Sequence, residues 1–491
     1  MYQVGMSLAM TGHPLDGAAV VGQPAGGSVG ETLELSKEEL RRRVASLPSE
    51  LSRWQLRAKA ELDMNIHLSQ LRALDNLVAA FTKDQLKMVE ALNPQGNRGQ
   101  FLQRGFDVVN EIIRSQGIWD FYREKFQLRF SPDFKAALRV ADIIAWDCYR
   151  PVVENAADLG ILPSAQLREP PLCYYEADFS PATWVRGSEP SDLRDRQGGT
   201  IRTPIPVIQL PWDHAENLWE FLSLPHEVGH DIEADLNLRT ALLQSLEVAL
   251  RQGGRQDARI QVWKAWMAET FADLVALQLV GPAFAEALMD LLLLPPADVT
   301  TYNDADPHPT HYVRILMDTA YLRGLIQGEQ PAAIRQRQEL SSHAGRIEEV
   351  WKGIYGDPPQ LQNYITDFPL VFKSLMDTPL PVLKGNTVRA LIPYSAADDI
   401  RIRAAADYLE TGQNRPGRLR PRHCVAAARL AVTESSRQRN GLAMTLQSIN
   451  DRTARLVNDN APQGVLASND LKKHRDFITS FAKTISIKPG R

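Results

Sequence analysis

Leu224-Pro225-His226-Glu227-Val228-Gly229-His230-Asp231 is the stretch on which the reading of this chain turns. On a helix, His226 and His230 stand one turn apart and point the same way, so two imidazoles can grip one metal ion. Glu227 is rotated to the side, where it can hold a metal-bound water instead of the metal. A hydrolytic zinc site needs this arrangement. Zinc lowers the pKa of its water to about 7 and polarises a scissile carbonyl, while the carboxylate takes the proton and returns it to the leaving amine. Chance alone gives such a motif in roughly one of a hundred chains of this length. A surface helix with two solvated histidines is therefore the alternative, and a third ligand decides between them.

The metzincin extension of the motif needs Gly at 233 and His at 236, but the chain has Glu233 and Leu236. Glu233 shares the face of His226, yet three ligands from one straight helix cannot easily surround a metal tetrahedrally. The better candidate lies in Trp266-Met267-Ala268-Glu269-Thr270-Phe271-Ala272-Asp273. Glu269 and Asp273 are four apart and share a helix face. Glu269 can bind the metal from a facing helix, Asp273 can accept the second N–H of a ligating histidine, and Ala272 lets the helices approach closely. Trp266, Phe271, Leu274 and Leu277 make this helix mostly buried, and buried carboxylates require partners.

HExxH followed by ExxAD resembles the gluzincin metallopeptidases. The Glu-x-x-Ala-Asp form is most similar to the integral-membrane CAAX-prenyl endopeptidases and the bacterial heat-shock membrane proteases. Those families carry His-Pro, then Arg six residues after that His. Here His308-Pro309-Thr310-His311-Tyr312-Val313-Arg314 has the same order and spacing. The resemblance implies that His308 and Arg314 lie at the active site, stabilising the oxyanion or positioning the substrate backbone, with His311 or Tyr312 as alternatives. It also implies that an edge strand before the HExxH helix, here Pro204–Leu210, pairs with an extended peptide. The chain departs from these families in having no membrane span, so the site carries over and the substrate does not.

Composition narrows the function classes. The 491 residues hold 55 Lys+Arg against 59 Asp+Glu, a formal charge of −4, which argues against nucleic acid as the main partner. Cys148, Cys173 and Cys424 are few, distant and odd in number, which excludes a disulfide framework and fits a reducing compartment. No apolar run reaches the roughly 18 residues of a membrane span, and the N-terminus has no export signal, so a cytoplasmic location is expected. Arg415, Arg418, Arg420, Arg422, Arg429, Arg437 and Arg439 form a basic run without interleaved aromatics, expected to be a solvated face or linker. Asn303-Asp304-Ala305-Asp306 lacks the spacing and Gly of a calcium loop, and the adjacent His423 and Cys424 do not suit a nucleophile pair.

Outward from the motif, residues 1–35 are Gly-rich and almost uncharged, a flexible tail by expectation. Ser36 is a plausible first helix cap. Leu71, Leu74, Val78 and Phe81, then Phe106, Val109 and Ile113 beyond the Asn93–Gly96 break, mark an antiparallel helical module over 36–130. The metallopeptidase region is expected over 131–335, with helices near 134–156, 214–236 and 256–280. Thr203–Pro211, with its prolines, predicts an edge strand or none. A C-terminal helical module occupies 336–491. The expected fold class is mainly α with a small β-sheet, a zincin-like (gluzincin) core flanked by helical modules. The expected function is a zinc-dependent peptidase acting on a peptide or protein. His226, His230 and Glu269 hold Zn2+, Glu227 is the general base, Asp273 orients a ligand histidine, and His308 and Arg314 assist. A non-enzymatic metal-containing scaffold or binding protein, and a hydrolase of non-peptide amides, are the alternatives.

Overall fold

The computed structural model describes residues 28–162, 168–178, 180–190, 202–303, 306–437 and 442–461. Of the expected tail, residues 1–27 lie outside these. The rest is not tail but helix. Val29–Ala60 begins at Ser28, whose hydroxyl accepts from the Glu31 N–H while the Glu31 carboxylate accepts from the Ser28 N–H. This Ser-x-x-Glu capping box starts the helix eight residues before Ser36, because it satisfies two end donors at once.

Leu68–Glu90 and Arg98–Gln127 complete an antiparallel three-helix unit. Leu71, Leu74 and Val78 are buried in its seam as expected, but Phe106 is 52% exposed. The buried face of Arg98–Gln127 runs through Phe101, Val108, Ser115 and Tyr122, at seven-residue steps, with Ile118, Trp119 and Phe126 beside it. The large aromatics of the second half of the helix decide which face is inward, and the first half follows their register.

Three strands form one small sheet: β1 (Leu172–Glu176), β2 (Ala182–Trp184) and β3 (Val207–Pro211), in the order β1-β3-β2. β3 pairs parallel with β1, Leu172 opposite Val207, and antiparallel with β2, Ala182 opposite Gln209. The proline-bounded segment is therefore a strand, and it is the central one. Pro206 precedes it and Pro211 closes it, so the N–H groups of Val207 to Leu210 stay available to the ladder. The sheet is covered on both faces, and side chains alternate between them. Leu172, Tyr174 and Val207 pack into the N-terminal helical unit, whereas Cys173, Tyr175, Ile208 and Leu210 pack into the main core. The Tyr122 hydroxyl ties the helical unit to the sheet, donating to the Ile205 carbonyl and accepting from its N–H at 3.1 Å.

The main core surrounds Asp257–Val280, a helix apolar on nearly every side. Against it lie Lys135–Asp158, Ser223–Asp235, Arg239–Gln252, Pro282–Leu291 and His311–Leu322. Buried residues of Pro331–Tyr355, Ala396–Thr411 and Pro421–Arg437 belong to the same apolar cluster. Among the described residues, no helix is long and apolar enough to cross a membrane. Within the basic run, Arg422 is buried against Asp147 and the Leu279 carbonyl, and Arg429 against Asp290. These two hold helices together. The Arg437 side chain and Arg439 lie outside the described residues. The Cys424 thiol is buried and pushed up by that burial, which suits a core group and not a nucleophile.

Candidate metal centre

Ser223–Asp235 carries the two histidines, and Pro225 sits in its first turn, where a missing N–H costs nothing. Gly229 lies between the histidines. A Cβ there would come 2.9 Å from the Ala272 Cα and 3.2 Å from its Cβ. Gly229 and Ala272 are thus the crossing point at which Ser223–Asp235 and Asp257–Val280 touch backbone to backbone. That approach brings Glu269, one turn before Ala272, up to the imidazoles.

The result is a convergence of three donors. His226 Nε2 is 3.2 Å from Glu269 Oε2, His230 Nε2 is 3.6 Å from Glu269 Oε1, and the two Nε2 atoms are 3.3 Å apart. One ligand atom from each residue lies within 4.8 Å of the others. His226 Nδ1 is 2.8 Å from Asp273 Oδ1, which assigns a proton to that side and turns Nε2 toward the cluster. Two imidazoles and a carboxylate turned on one point can share protons between them or hold a cation among them. Burial opposes charge on His226, yet Asp273 and Glu269 lift its pKa to about 10. Burial likewise works to raise the Glu269 carboxyl, but hydrogen bonds from His226, His230 and His308 hold it well below the usual range. The donors therefore fit a divalent metal.

Glu227 is 7% exposed, and burial pushes its carboxyl up. It lines two recesses that meet at the histidines. The larger, about 590 Å³, is bordered by Ala182, Thr183 and Val185 and contains His226, Glu227, His230, Glu269 and His308. The smaller, about 100 Å³, runs between Leu222 and Phe284. The strand bordering the cleft is therefore β2, an edge strand of three residues, and not Pro204–Leu210, whose β3 portion is flanked on both sides.

His308 and Arg314 come to the site in different ways. His308 lines both recesses, its Nε2 3.2 Å from Glu269 Oε2. Asp306 orients it, accepting from His308 Nδ1 at 2.8 Å and from its backbone N–H at 2.9 Å. Burial lowers the His308 pKa, but Glu269 and Asp306 outweigh that and raise it. Arg314 instead turns to Asp273, donating from Nε to Oδ2 and from Nη2 to Oδ1 at 2.7 Å. Its guanidinium is thus held against Asp273 beside His226, and it lines the smaller recess together with Glu227 and His308. Six residues place His308 on a loop and Arg314 in the first turn of His311–Leu322, and both reach the smaller recess. The Tyr312 hydroxyl donates to the Gly356 carbonyl at 2.8 Å, and neither Tyr312 nor His311 lines a recess.

Glu233 lies at the cleft, 3.5 Å from Arg239, outside the ligand group. Asp231 and Asp318 are buried carboxyls with no hydrogen-bond partner among the described residues, pushed well up by burial. Asp306 and β2 were missed by the sequence reading. An Asp two residues before a site histidine is a usable signal; three residues of strand are not. Asp304 and Ala305 lie outside the described residues. Compared with known proteins, the chain matches no family model, no curated protein and no solved structure.

Proposed function

We propose that this chain is a zinc-dependent peptidase with a zincin-like core. The reading is carried by one observation: His226, His230 and Glu269 converge in a cleft at whose wall the buried Glu227 waits beside them. His226 and His230 from one helix and Glu269 from the next would hold the metal. When bound, zinc supplies an acidified water and polarises the scissile carbonyl. Glu227 takes the proton from the attacking water and delivers it to the leaving amine.

The other residues prepare that transfer. Asp273 fixes the His226 ring through Nδ1, and Arg314 neutralises and holds Asp273. The open backbone of β2 aligns an extended peptide along the cleft by strand addition. His308, kept in place by Asp306, donates an N–H toward negative charge developing on the substrate oxygen.

The test is Glu227→Gln. Zinc content measured on the purified variant stays at the wild-type value, while peptide hydrolysis falls by about a hundredfold or more. Full hydrolysis in that variant sinks the mechanism. Zinc bound by a wild type that cleaves no peptide favours the metal-containing scaffold.

A further inference from the structure

We propose that the smaller recess is a specificity pocket for a lysine or arginine side chain next to the scissile bond, with the Glu220 carboxylate receiving its cation. This rests on the peptidase reading. The recess shares Pro181, His226, Glu227 and His308 with the main cleft, so whatever enters it adjoins the reacting bond. From there it continues between the turn Leu218–Leu222 and the helix Pro282–Leu291. Its volume of about 100 Å³ is well below the roughly 300 Å³ at which pockets hold whole small molecules, so it admits a single side chain.

The walls and the charge differ in kind. Leu222, Phe284 and Leu288 offer an apolar lining along which methylene groups can lie. Glu220 is half-buried there, and burial pushes its carboxyl up. The cation acting on it is Arg429, which already pairs with Asp290 and lies 3.9 Å from Glu286. Glu286 also meets His343, and the Arg314 guanidinium at the pocket wall is matched by Asp273. Arg429 is thus divided among carboxylates, and Glu220, which accepts a hydrogen bond from the Trp219 side chain, has no ion-paired cation of its own among the described residues. An aliphatic side chain would fill the walls and leave Glu220 further desolvated without a counter-charge. A lysine or arginine lays its stem on the same walls and supplies the missing charge.

The test uses the full-length, zinc-loaded chain. A randomised peptide mixture should be cut next to Lys or Arg. Between two peptides differing only in Lys against norleucine at that position, kcat/KM should favour Lys about tenfold or more. The isosteric Glu220→Gln should collapse that ratio toward one. Cleavage without basic preference, or an unchanged ratio in Glu220→Gln, overturns the pocket. If no peptide is cleaved, the peptidase reading fails by itself. The pocket is then read from fluorescence anisotropy of the same two peptides, labelled, on the zinc-loaded protein. Preferential Lys binding that Glu220→Gln abolishes upholds it, and equal binding overturns it.

Discussion

The molecule builds the same trio of residue types twice, with opposite outcomes. At the join of the N-terminal helices and the sheet, Arg129 donates to both oxygens of Asp142 at 2.8 and 2.9 Å and to the Cys173 carbonyl at 2.6 Å. His67 Nε2 is 3.0 Å from Asp142, and its Nδ1 is 2.6 Å from Gln70 Oε1. Every face of that histidine is occupied, and all three side chains are sealed from solvent. At the candidate metal centre, Arg314 and Asp273 hold His226 in the same way, but the far nitrogen of His226 meets the His230 ring, the Glu269 carboxylate and an open cleft. The chemistry of a His–Asp–Arg cluster is therefore not what makes a site. A ring nitrogen turned to a second imidazole and a carboxylate at an open cleft does.

The comparison breaks most visibly at the closed cluster. Arg129→Met leaves Asp142 buried without its main partner, and the expected loss is about 3–5 kcal/mol of unfolding free energy in urea titrations, with zinc stoichiometry of the folded fraction unchanged. Asp273→Asn tests the open cluster. It also strands Arg314, but in addition the His226 ring loses its carboxylate anchor, so zinc affinity by competitive chelation should fall about 10–100-fold. Equal zinc affinity in that variant would show that the ring needs no such anchor. Next comes the crossing itself. Gly229→Ala pushes a methyl into the Ala272 backbone at 2.9 Å, with an expected cost of about 1–3 kcal/mol and weakened zinc binding, because the helices must part where Glu269 reaches across. A variant that binds zinc normally denies the crossing that role.

How legible each cluster is in the sequence follows from how its residues are spaced. His226 and His230, or Glu269 and Asp273, sit one helical turn apart, and that period puts them on one face in any context. Ala272 beside Glu269 likewise announces a close helix crossing. His67, Arg129 and Asp142 come from three elements, and no local pattern marks them. The direction of Arg314 depends on the packing of His311–Leu322 against Asp257–Val280, which lies beyond any six-residue motif. The sheet was half visible. Prolines around Val207–Leu210 suggested an edge, but they stand at the strand's ends, and burial on both faces comes from helices distant in sequence. The cap at Ser28 is legible from Glu31 three residues on, but it borders a Gly-rich stretch whose composition predicts a tail.

The smallest expected effect separates the clusters by pH. Burial works to raise Asp142, but Arg129 and His67 overcome it and lower its pKa. The stability it contributes is present above the unfolded Asp value of about 3.9 and is lost as pH falls through the folded value. Asp318, one turn beyond Arg314, has no hydrogen bond among the described residues, and burial and then the Asp273 charge push it well up. In the pH range between its unfolded and folded values, the folded state binds the extra proton. Stability is therefore lost as pH rises above about 3.9, the opposite sign. Asp318→Asn removes that slope. In metal-free protein, urea midpoints of the variant should gain on wild type as pH rises from 4 to 8, while Asp142→Asn should lose on it only as pH rises through the range below about 4. Parallel midpoints for Asp318→Asn and wild type would mean that Asp318 is charged and compensated in the folded chain. The open cluster would then be as fully matched on its inner side as the closed one, and the cleft side of His226 would be the whole difference between them.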